Sequence, residues 1–415
     1  MTTTQADALR SVDEHLETIL AAVSPLSSLE LTLQDAHGCV LAEDVASTFP
    51  LPPFDNSAMD GYAVRAADVA AASVDSPVQL PVVGDIAAGS AGPYTVQPGL
   101  CVRIMTGAPI PAGADAVVPV EWTDGGVAQV SIRRSASPGA HIRLAGEDAP
   151  VGTTVLAAGT HLGATQIGLL AAVGRERVSA RPRPRVVVLS TGSELVDPGT
   201  PLSPGKIPDA NSTLLTSAAR EAGGIAFRVG IVPDDPRLLL DTLEDQLIRA
   251  DAVVTSGGIS VGAYDVVKEA INRIGEVQFD RVAMQPGMPQ SFGLIGPERT
   301  PFFGLPGNPV SAYVSFEVFV RPALRRMLGV EPINRPTVRA RLTAPLTSPP
   351  GKRSFARAHL TVDKGSYTAH PVGGSGSHLI ASLAGANALV VVPEQTTQLD
   401  AGATVTVMLL ERRQA

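Results

Sequence analysis

The chain has 415 residues, enough for about three domains of average size. Its 32 Lys and Arg against 40 Asp and Glu give a formal net charge of −8, which argues against nucleic-acid binding because that function needs a basic surface. Hydrophobic residues make up 44% of the chain, which excludes wholesale disorder.

Three absences narrow the class of protein further. No apolar run approaches the roughly 18 residues of a membrane helix, and Met1–Arg10 lacks the apolar core of a signal peptide. Cys39 and Cys101 form neither a disulfide framework nor a CxxC site, so we expect both to be buried in a cytoplasmic protein. Because only four of the basic residues are lysines, an anion site is expected to use arginine, backbone N–H groups or a metal ion.

The first predicted element is a helix that begins with the capping-box pair Ser11 and Glu14 and stops at Pro25. Alternating leucines over 29–33 then predict a strand. Short apolar runs separated by Gly and Pro follow, and they predict a small β domain inserted into the first domain. These runs are Val78–Val83, Leu100–Met105, Ala116–Val120 and Val127–Ile132.

Beyond the stiff linker Arg181-Pro-Arg-Pro-Arg185, strands alternate with helices, which predicts a doubly wound parallel sheet. The predicted strands are Arg185–Leu189, Ile225–Val232, Ala252–Thr255 and Phe302–Leu305. The predicted helices are Ala164–Val173 before the linker and Ser212–Ala222, Pro236–Arg249, Val266–Ile274 and Pro309–Met327 after it. The last predicted strands are Val338–Leu342, Phe355–Val362, Ala388–Val392 and Val405–Leu410.

The expected fold class is therefore α/β plus β, with a central doubly wound parallel-sheet domain accompanied by smaller parts. Four parts are expected: a mixed α/β N-terminal domain (1–48 with 149–180), an inserted β domain (49–148), the α/β domain (181–330) and a C-terminal β domain (331–415).

Three glycine-containing turns each follow a predicted strand of the α/β domain, at Ser190–Glu194, Ser256–Gly262 and Gly304–Pro309. Parallel strands end at one edge of a sheet, where ligands bind and where backbone N–H groups and helix N-termini favour anions. One such turn is expected from strand–helix geometry alone, but three at one edge favour a phosphate site. The turns match neither a P-loop nor GxGxxG.

Carboxylates accompany these turns, namely Glu194, Asp209, Asp234, Asp235 and Asp265. An acid beside a phosphate needs a cation between them, and Mg²⁺ typically uses one or two carboxylates plus phosphate oxygens. Asp234, Asp235 and Asp265 also stand where helix caps are expected, so capping and metal binding both stay open for these three acids.

The segment Pro52–Tyr62 concentrates two acids, an amide and two aromatic residues, and Arg103–Gly107 and Arg143–Asp148 also combine polar residues with glycine. A cluster of β-turns explains these segments as well as a functional site does. The seven histidines have no metal-ligand spacing, and no GxSxG motif is present.

Taken together, six segments in this order resemble the molybdopterin molybdotransferase family, the MoeA proteins of bacteria, which are similar to the E domain of gephyrin. The segments are Phe54–Tyr62, Arg103–Pro109, Gly146–Asp148, Ser190–Glu194, Ser256–Gly262 and Gly304–Ser311. The resemblance implies that adenylylated molybdopterin and molybdate react to give molybdenum cofactor and AMP, with a divalent cation such as Mg²⁺. It also implies a homodimer, with the molybdopterin adenylyltransferase and molybdoenzyme apoproteins as possible protein partners.

By motif position, the resemblance assigns three groups of residues. The acids expected in catalysis are Asp60, Asp148, Glu194, Asp235 and Asp265, and the last three are also the expected metal ligands. The residues expected to bind the molybdopterin substrate are Thr191, Gly192, Ser193, Ser256, Gly257, Gly258, Ser260, Arg281, Gln285, Pro306, Gly307, Asn308 and Pro309. The residues expected to bind molybdate are Arg353, Arg357 and Ser377.

One segment departs from the family pattern, because Arg281, Gln285 and Met288 stand where the family often has lysine. Arginine keeps the positive charge without being an equivalent anion ligand, whereas Gln and Met lose the charge. An alternative function is therefore a non-catalytic molybdopterin-binding or scaffold paralogue. A third possibility, the preceding adenylylation enzyme, resembles the α/β domain alone, and the additional β domains argue against it.

Overall fold

The computed structural model describes residues 9–90, 94–257, 268, 271, 273–363 and 365–410, which fall into two compact units. The inserted unit comprises Glu30–His37 and Leu41–Val178, and the main unit comprises Met1–Leu29, Gly38–Val40 and Ser179–Ala415. Within the described residues, no helix has both the length and the apolar character that crossing a membrane requires.

The elements of the chain up to Arg181 are mostly short strands. The helices are α1 (Val12–Ala22) and α2 (Ala164–Ala172), with 3₁₀ turns at Ala66–Val69 and Val120–Trp122. The strands are β1 (Leu29–Thr32), β2 (Val40–Leu41), β3 (Val45–Ala46), β4 (Asn56–Ser57), β5 (Gly61–Val64), β6 (Val78–Ile86), β7 (Cys101–Ile104), β8 (Ala116–Pro119), β9 (Gln129–Ile132), β10 (Ile142–Arg143), β11 (Thr154–Leu156) and β12 (Arg177–Arg181).

The predicted start of helix α1 is confirmed by its hydrogen bonds. The Ser11 hydroxyl accepts from the Glu14 backbone N–H at 3.1 Å, and the Glu14 carboxylate accepts from the Ser11 N–H at 3.0 Å. This reciprocal pair satisfies backbone donors that the first helical turn otherwise leaves without a partner.

The inserted unit is built on a five-stranded sheet in the order β8-β5-β7-β6-β9. The four predicted strands are confirmed, and β5 is an additional strand at residues 61–64. Alternate residues face opposite sides, so that Tyr62 and Val118 pack on one side and Ile104 and Val117 on the other. Cys101 lies in the first of these cores, where burial raises the pKa of its thiol to about 12, and Cys39 is buried as well.

The main unit begins with an α/β region. Its helices are α3 (Asn211–Glu221), α4 (Pro236–Leu247), α5 (Pro309–Ser315) and α6 (Arg321–Leu328). Its strands are β13 (Arg185–Thr191), β14 (Leu195–Val196), β15 (Ile207–Pro208), β16 (Ile225–Val232), β17 (Ala252–Ser256), β18 (Gly275–Arg281), β19 (Met284–Gln285), β20 (Pro289–Ile295) and β21 (Thr300–Leu305).

The central sheet has the order β16-β13-β17-β21-β20-β18. The first four strands are parallel, as predicted, and β13, β17 and β21 are buried almost throughout. Two strands that were not predicted, β20 and β18, extend the sheet at one edge and run antiparallel. Gly293 in β20 obscured the strand signal, yet glycine is required there, since a Cβ would lie 2.1 Å from the Glu276 carbonyl oxygen.

The helix predicted over Pro309–Met327 contains a π-helical turn at Phe316–Val320 between α5 and α6. This turn carries Glu317, which is 1% exposed and accepts two hydrogen bonds from Arg335 at 2.7 and 2.9 Å. The helix predicted over Val266–Ile274 lies mostly outside the described residues.

The last part of the main unit forms a closed sheet. Its elements are β22 (Thr337–Leu342), β23 (Leu346–Thr347), β24 (Arg353–Asp363), β25 (Ser366–Pro371), α7 (Ile380–Ala384), β26 (Ala388–Val392), β27 (Gln398–Leu399) and β28 (Thr404–Leu409). The order β24-β25-β22-β28-β26 closes where β26 pairs with β24. We call this closed sheet the C-terminal barrel, and β19 pairs with the start of its strand β24.

Candidate active site

The described residues of the three glycine-containing turns lie at the carboxyl ends of β13, β17 and β21, so the common edge predicted for the turns is confirmed for these residues. Gly257 has φ +90°, and a Cβ there would lie 2.3 Å from the Thr191 carbonyl oxygen. A Cβ on Gly307 would lie 3.7 Å from the Gly257 Cα. We call Thr191–Glu194, Ser256–Gly257 and Pro306–Pro309 the turn cluster. Gly258, Ser260 and Asp265, which were assigned to this site from the sequence, lie outside the described residues.

The first turn carries charges of both signs. Asp234 accepts hydrogen bonds from the Ser193 N–H and hydroxyl at 3.0 and 3.2 Å, and the Lys206 ammonium donates to the Ser193 carbonyl oxygen. The Glu194 carboxylate lies over Gly192, where a Cβ would come within 2.7 Å of it. Lys206, one of the four lysines of the chain, therefore contacts this turn.

Asp235 caps helix α4, which is the first of its two possible roles. One carboxylate oxygen accepts from the backbone N–H groups of Arg237 and Leu238 at 2.8 and 3.2 Å. Within the described residues, no three His, Cys, Asp or Glu side chains form a group that could hold a metal ion.

Asn211, which the sequence did not single out, joins two members of the turn cluster. Its amide Nδ2 donates to the Ser256 hydroxyl at 2.8 Å and to the Gly307 carbonyl oxygen at 2.6 Å. Its Oδ1 is buried without a hydrogen-bond partner, as is the Thr191 hydroxyl. Buried polar atoms are normally paired, so these atoms are available to a ligand or to water. The sequence signal was an asparagine at the start of the helix that follows the first turn.

A cavity of about 300 Å³ lies in the main unit beside the third turn. We call it the Arg357 cavity, and Gln285, Val310, Ser354 and Gly374 contribute to its wall. The Arg357 side chain is contributed by strand β24, and the wall combines apolar groups with these few polar ones.

Arg357 is a buried cation, only 5% exposed. Its guanidinium donates to the carbonyl oxygens of Gly376 at 3.1 Å, Leu379 at 3.4 Å and Gly374. No described carboxylate forms an ion pair with it, and burial lowers the pKa of its guanidinium. A buried cation without a counter-charge is costly unless an anion compensates it, so the cavity suits an oxyanion.

Two of the other residues assigned to anion binding lie at or near this cavity. Gln285 lines the cavity. Ser377 connects the third turn to the C-terminal part of the chain by two hydrogen bonds. Its hydroxyl accepts one from Asn308 Nδ2 at 2.8 Å, and its carbonyl oxygen accepts the other from the Val310 N–H at 3.0 Å. Arg281 and Met288 are not among the lining residues, and the Arg281 guanidinium lies 3.8 Å from the Met288 sulfur.

Arg353, the remaining expected molybdate ligand, is already paired with two acids. Its guanidinium donates to both Asp13 carboxylate oxygens at 2.8 and 2.7 Å and lies 2.8 Å from Glu394. Because its charge is compensated and it does not line the Arg357 cavity, the structure favours Arg357 over Arg353 as the ligand of an oxyanion.

In the inserted unit, the three remaining motifs converge. The Gly107 N–H donates to the Ser57 carbonyl oxygen at 2.8 Å, and the Asp55 carboxylate accepts from the Ala145 N–H at 2.7 Å. Asn56 donates to the Phe54 carbonyl oxygen at 3.0 Å. Asp55 and Asn56 therefore satisfy backbone groups, as a cluster of turns requires.

The two acids of these motifs that are expected in catalysis, Asp60 and Asp148, are exposed to solvent, as are Asp55 and Glu147. The N–H and hydroxyl of Thr106 both donate to one Asp60 oxygen at 2.7 Å, and these hydrogen bonds hold the pKa of Asp60 below its usual value. The apolar side chains of Phe54 and Met59 are also exposed in the same segment, by 45% and 36%. These motifs of the inserted unit thus present exposed carboxylates together with exposed apolar groups.

Family models match three consecutive parts of the chain. A model described as MoeA N-terminal region (domain I and II) matches residues 10–174, one described as probable molybdopterin binding domain matches 187–326, and one described as MoeA C-terminal region (domain IV) matches 339–410.

Curated relatives align over nearly the whole chain. Molybdopterin molybdenumtransferase 2 of Mycobacterium tuberculosis is 48% identical over 95% of this chain and 98% of its own length. Molybdopterin molybdenumtransferase 1 of the same organism is 43% identical over 97% of this chain and 99% of its own. A solved molybdopterin biosynthesis MoeA protein from Pyrococcus horikosii has a TM-score of 0.77 and 35% identity, covering 98% of this chain and 100% of its own.

Proposed function

The chain belongs to the MoeA family, and we propose that it is a transferase of molybdenum cofactor synthesis that inserts molybdate into adenylylated molybdopterin and releases AMP. The observation that carries this proposal is Arg357, a buried cation without a described carboxylate partner, among the lining residues of a cavity beside the third turn. The names of relatives at 48% and 43% identity support the same reaction class.

In this proposal the turn cluster binds the phosphate groups of the adenylylated substrate. The Thr191 hydroxyl, which has no hydrogen-bond partner among the described residues, is the side-chain donor available there, and Lys206 adds a positive charge at the first turn. Close packing of Gly257 on Thr191 leaves no room for larger side chains, so the backbone of the turns can approach an anion directly.

A divalent cation fits the donor set of this edge. Glu194 is an exposed carboxylate at the first turn, and Asp235 uses one oxygen as a helix cap. Mg²⁺ requires only one or two carboxylates when phosphate oxygens and water complete its shell. When bound, the cation neutralises phosphate charge that the nearby acids would otherwise repel.

We assign molybdate to the Arg357 cavity, where the guanidinium supplies the charge and Gln285 a neutral polar group. With the phosphates at the turn cluster and the oxyanion beside the third turn, the two reactants are held close together. Positioning and fixed charges then lower the barrier to cleaving the phosphoanhydride, and no nucleophilic side chain is needed. We also propose Asp60 and Asp148 as catalytic acids, because of their positions in the motifs that resemble the family.

The proposal extends to the remaining expectations drawn from the sequence. These are the homodimer, the cytoplasmic location, the four-part division of the chain, and contact with the adenylyltransferase and apoenzymes. Sedimentation equilibrium tests the first of them, since a homodimer has twice the 42.8 kDa mass of one chain.

The experiment for the function is an AMP-release assay with purified protein, adenylylated molybdopterin and Mg²⁺, with and without molybdate. We expect AMP to appear only when molybdate is present, and chelation with EDTA to stop the reaction. The matched protein control is Arg339→Ala, because Arg339 is exposed on β22 and does not line the cavity.

The alternative function gives a different outcome in the same assay. Because residue 285 is glutamine and not lysine, Arg357 is the one cation among the described residues that line the cavity. A single positive charge favours weak oxyanion binding. If adenylylated molybdopterin binds but molybdate releases no AMP at any concentration, the transferase proposal is wrong and the chain is a molybdopterin-binding paralogue.

A further inference from the structure

We propose that Asp13 and Arg353 are positioning residues for the Arg357 cavity, with Asp13 on helix α1 holding Arg353 and, through it, the wall that contains Gln285 and Ser354. This inference rests on the proposed assignment of molybdate to that cavity. In this inference Arg353 is not a molybdate ligand, as the sequence led us to expect, but a residue that acts on the cavity from outside it.

The ion pair has the geometry of a specific contact. The two guanidinium nitrogens of Arg353 each donate to a different Asp13 oxygen, at 2.8 and 2.7 Å, and one of them also lies 2.8 Å from Glu394. Bidentate arginine–carboxylate pairs fix orientation as well as distance. Arg353 is 23% exposed, which limits screening by solvent on its side of the pair.

The backbone of Arg353 connects this ion pair to the cavity wall. Its N–H donates to the Ala283 carbonyl oxygen at 2.9 Å, and strand β19 pairs with β24 through Met284 with Arg353 and Gln285 with Ser354. Gln285 and Ser354, the second of these pairs, both line the Arg357 cavity. A shift of Arg353 is therefore transmitted to Gln285 and Ser354 by two adjacent residues of backbone.

The position of helix α1 is also fixed by contacts other than the Asp13–Arg353 ion pair. The backbone of Arg10 pairs with residues 281–283, through bonds of 2.9 Å to the Arg281 carbonyl oxygen and 2.7 Å from the Ala283 N–H. The Arg10 guanidinium lies 2.8 Å from Asp280. The His15 ring is 2% exposed and packs edge-on against Phe319. The start of the chain thus contacts both sides of the wall, through Arg10 at residues 281–283 just before β19 and through Asp13 of helix α1 at Arg353 of β24.

The test is Asp13→Asn, which removes the charge and keeps the size, compared with Glu17→Gln, an exposed acid one turn further along the same helix. We expect Asp13→Asn to raise the half-saturating molybdate concentration by about two- to fivefold, the range that a partly exposed ion pair supports. The kcat and the KM for adenylylated molybdopterin should stay unchanged, and Glu17→Gln should match the wild type. A purely structural role would raise the molybdate requirement only together with a fall in kcat and in the melting temperature.

A double-mutant cycle isolates the pair from general effects on the helix. Arg353→Gln should raise the molybdate requirement by a similar factor, and the double variant should be no worse than Arg353→Gln alone. Amide hydrogen exchange gives a readout that is independent of activity, with faster exchange expected at Arg353 and Ser354 in Asp13→Asn.

The outcomes separate this inference from the proposed function. If Arg357→Ala abolishes molybdate saturation while Asp13→Asn leaves molybdate binding and amide exchange unchanged, the positioning inference is wrong and the cavity assignment stands. If Arg357→Ala leaves molybdate saturation intact, the cavity assignment itself fails and this inference fails with it. Additive losses in the double variant would also contradict the pairing.

Discussion

The turn cluster and the Arg357 cavity both suit anions, yet they are built in opposite ways. The turn cluster is a set of backbone groups and hydroxyls near the acids Glu194 and Asp234, with one exposed lysine. The cavity has a single buried arginine and no described carboxylate paired with it. An anion at the first place therefore depends on an added cation, whereas an anion at the second depends on a cation that belongs to the protein.

This comparison is tested most severely by Arg357→Ala. Charge-assisted hydrogen bonds of buried groups are worth about 1.5–3 kcal/mol, so we expect the half-saturating molybdate concentration to rise by about 100-fold. Affinity for adenylylated molybdopterin should change little, because its phosphates bind at the turn cluster. Equal losses for both ligands would show that the two regions are not separate sites, and the melting temperature, compared with that of Arg339→Ala, controls for unfolding.

The next largest effect is expected from Asn211→Ala, which acts on the turn cluster alone. The Ser256 hydroxyl and the Gly307 carbonyl oxygen both lose a hydrogen bond, and we expect affinity for adenylylated molybdopterin to fall by about tenfold. Molybdate half-saturation should stay at the wild-type value. Thr213→Ala, an exposed position on the same helix, is the control, and an identical loss there would remove Asn211 from the site.

Gln285→Lys should strengthen molybdate binding in the cavity, by a smaller factor than Arg357→Ala weakens it. A second positive charge beside Arg357 should lower the half-saturating molybdate concentration by about threefold, more at low salt than at high salt. Met288→Lys is the matched control, because Met288 does not line the cavity and should leave molybdate binding unchanged. A gain from Met288→Lys alone would mean that the oxyanion lies within reach of position 288 and therefore outside the Arg357 cavity.

The smallest effect is the pH dependence of the Asp13 ion pair. Hydrogen bonds from Arg353 hold the pKa of Asp13 below its ordinary value, so the pair adds stability above the unfolded-state pKa of about 3.9 and loses it as pH falls through the lower folded-state pKa. The stability difference between wild type and Asp13→Asn, up to about 1 kcal/mol, should be constant from pH 7 to pH 5 and decline below about pH 4. Thermal unfolding at a series of pH values measures it, and a difference that grows on acidification would be inconsistent with the ion pair.

Arg353 and Arg357 also show what the sequence was able to predict. Local alternation of side chains predicted the strand Phe355–Val362, which carries Arg357 and begins two residues after Arg353. In the structure this strand starts at Arg353, so β24 carries both arginines. Nothing local separates two arginines four positions apart on one strand. Their difference comes from Asp13 and Glu394, which folding brings to Arg353 and not to Arg357.

The turn cluster was easier to predict, for a related reason. Each of its turns follows a strand directly, so parallel pairing alone placed the three together. Asn211 and Lys206 were missed because their contacts depend on how the segment between β13 and α3 returns to the sheet edge. The antiparallel strands β18 and β20 were missed because their glycines and polar residues weaken the strand pattern.

The contact between Asp13 and Arg353 also has a consequence for the order of folding. The two residues are 340 positions apart, and Arg10 and Asp280 are 270 apart. Contacts that close such long loops form after local ones, because the loss of chain entropy must first be offset by other structure. As the ribosome adds residues, the parallel sheet can assemble while helix α1 still lacks its partner on β24. We therefore expect the oxyanion cavity to be the last part of the main unit to reach its final geometry, only after the C-terminal barrel has been synthesised and has docked.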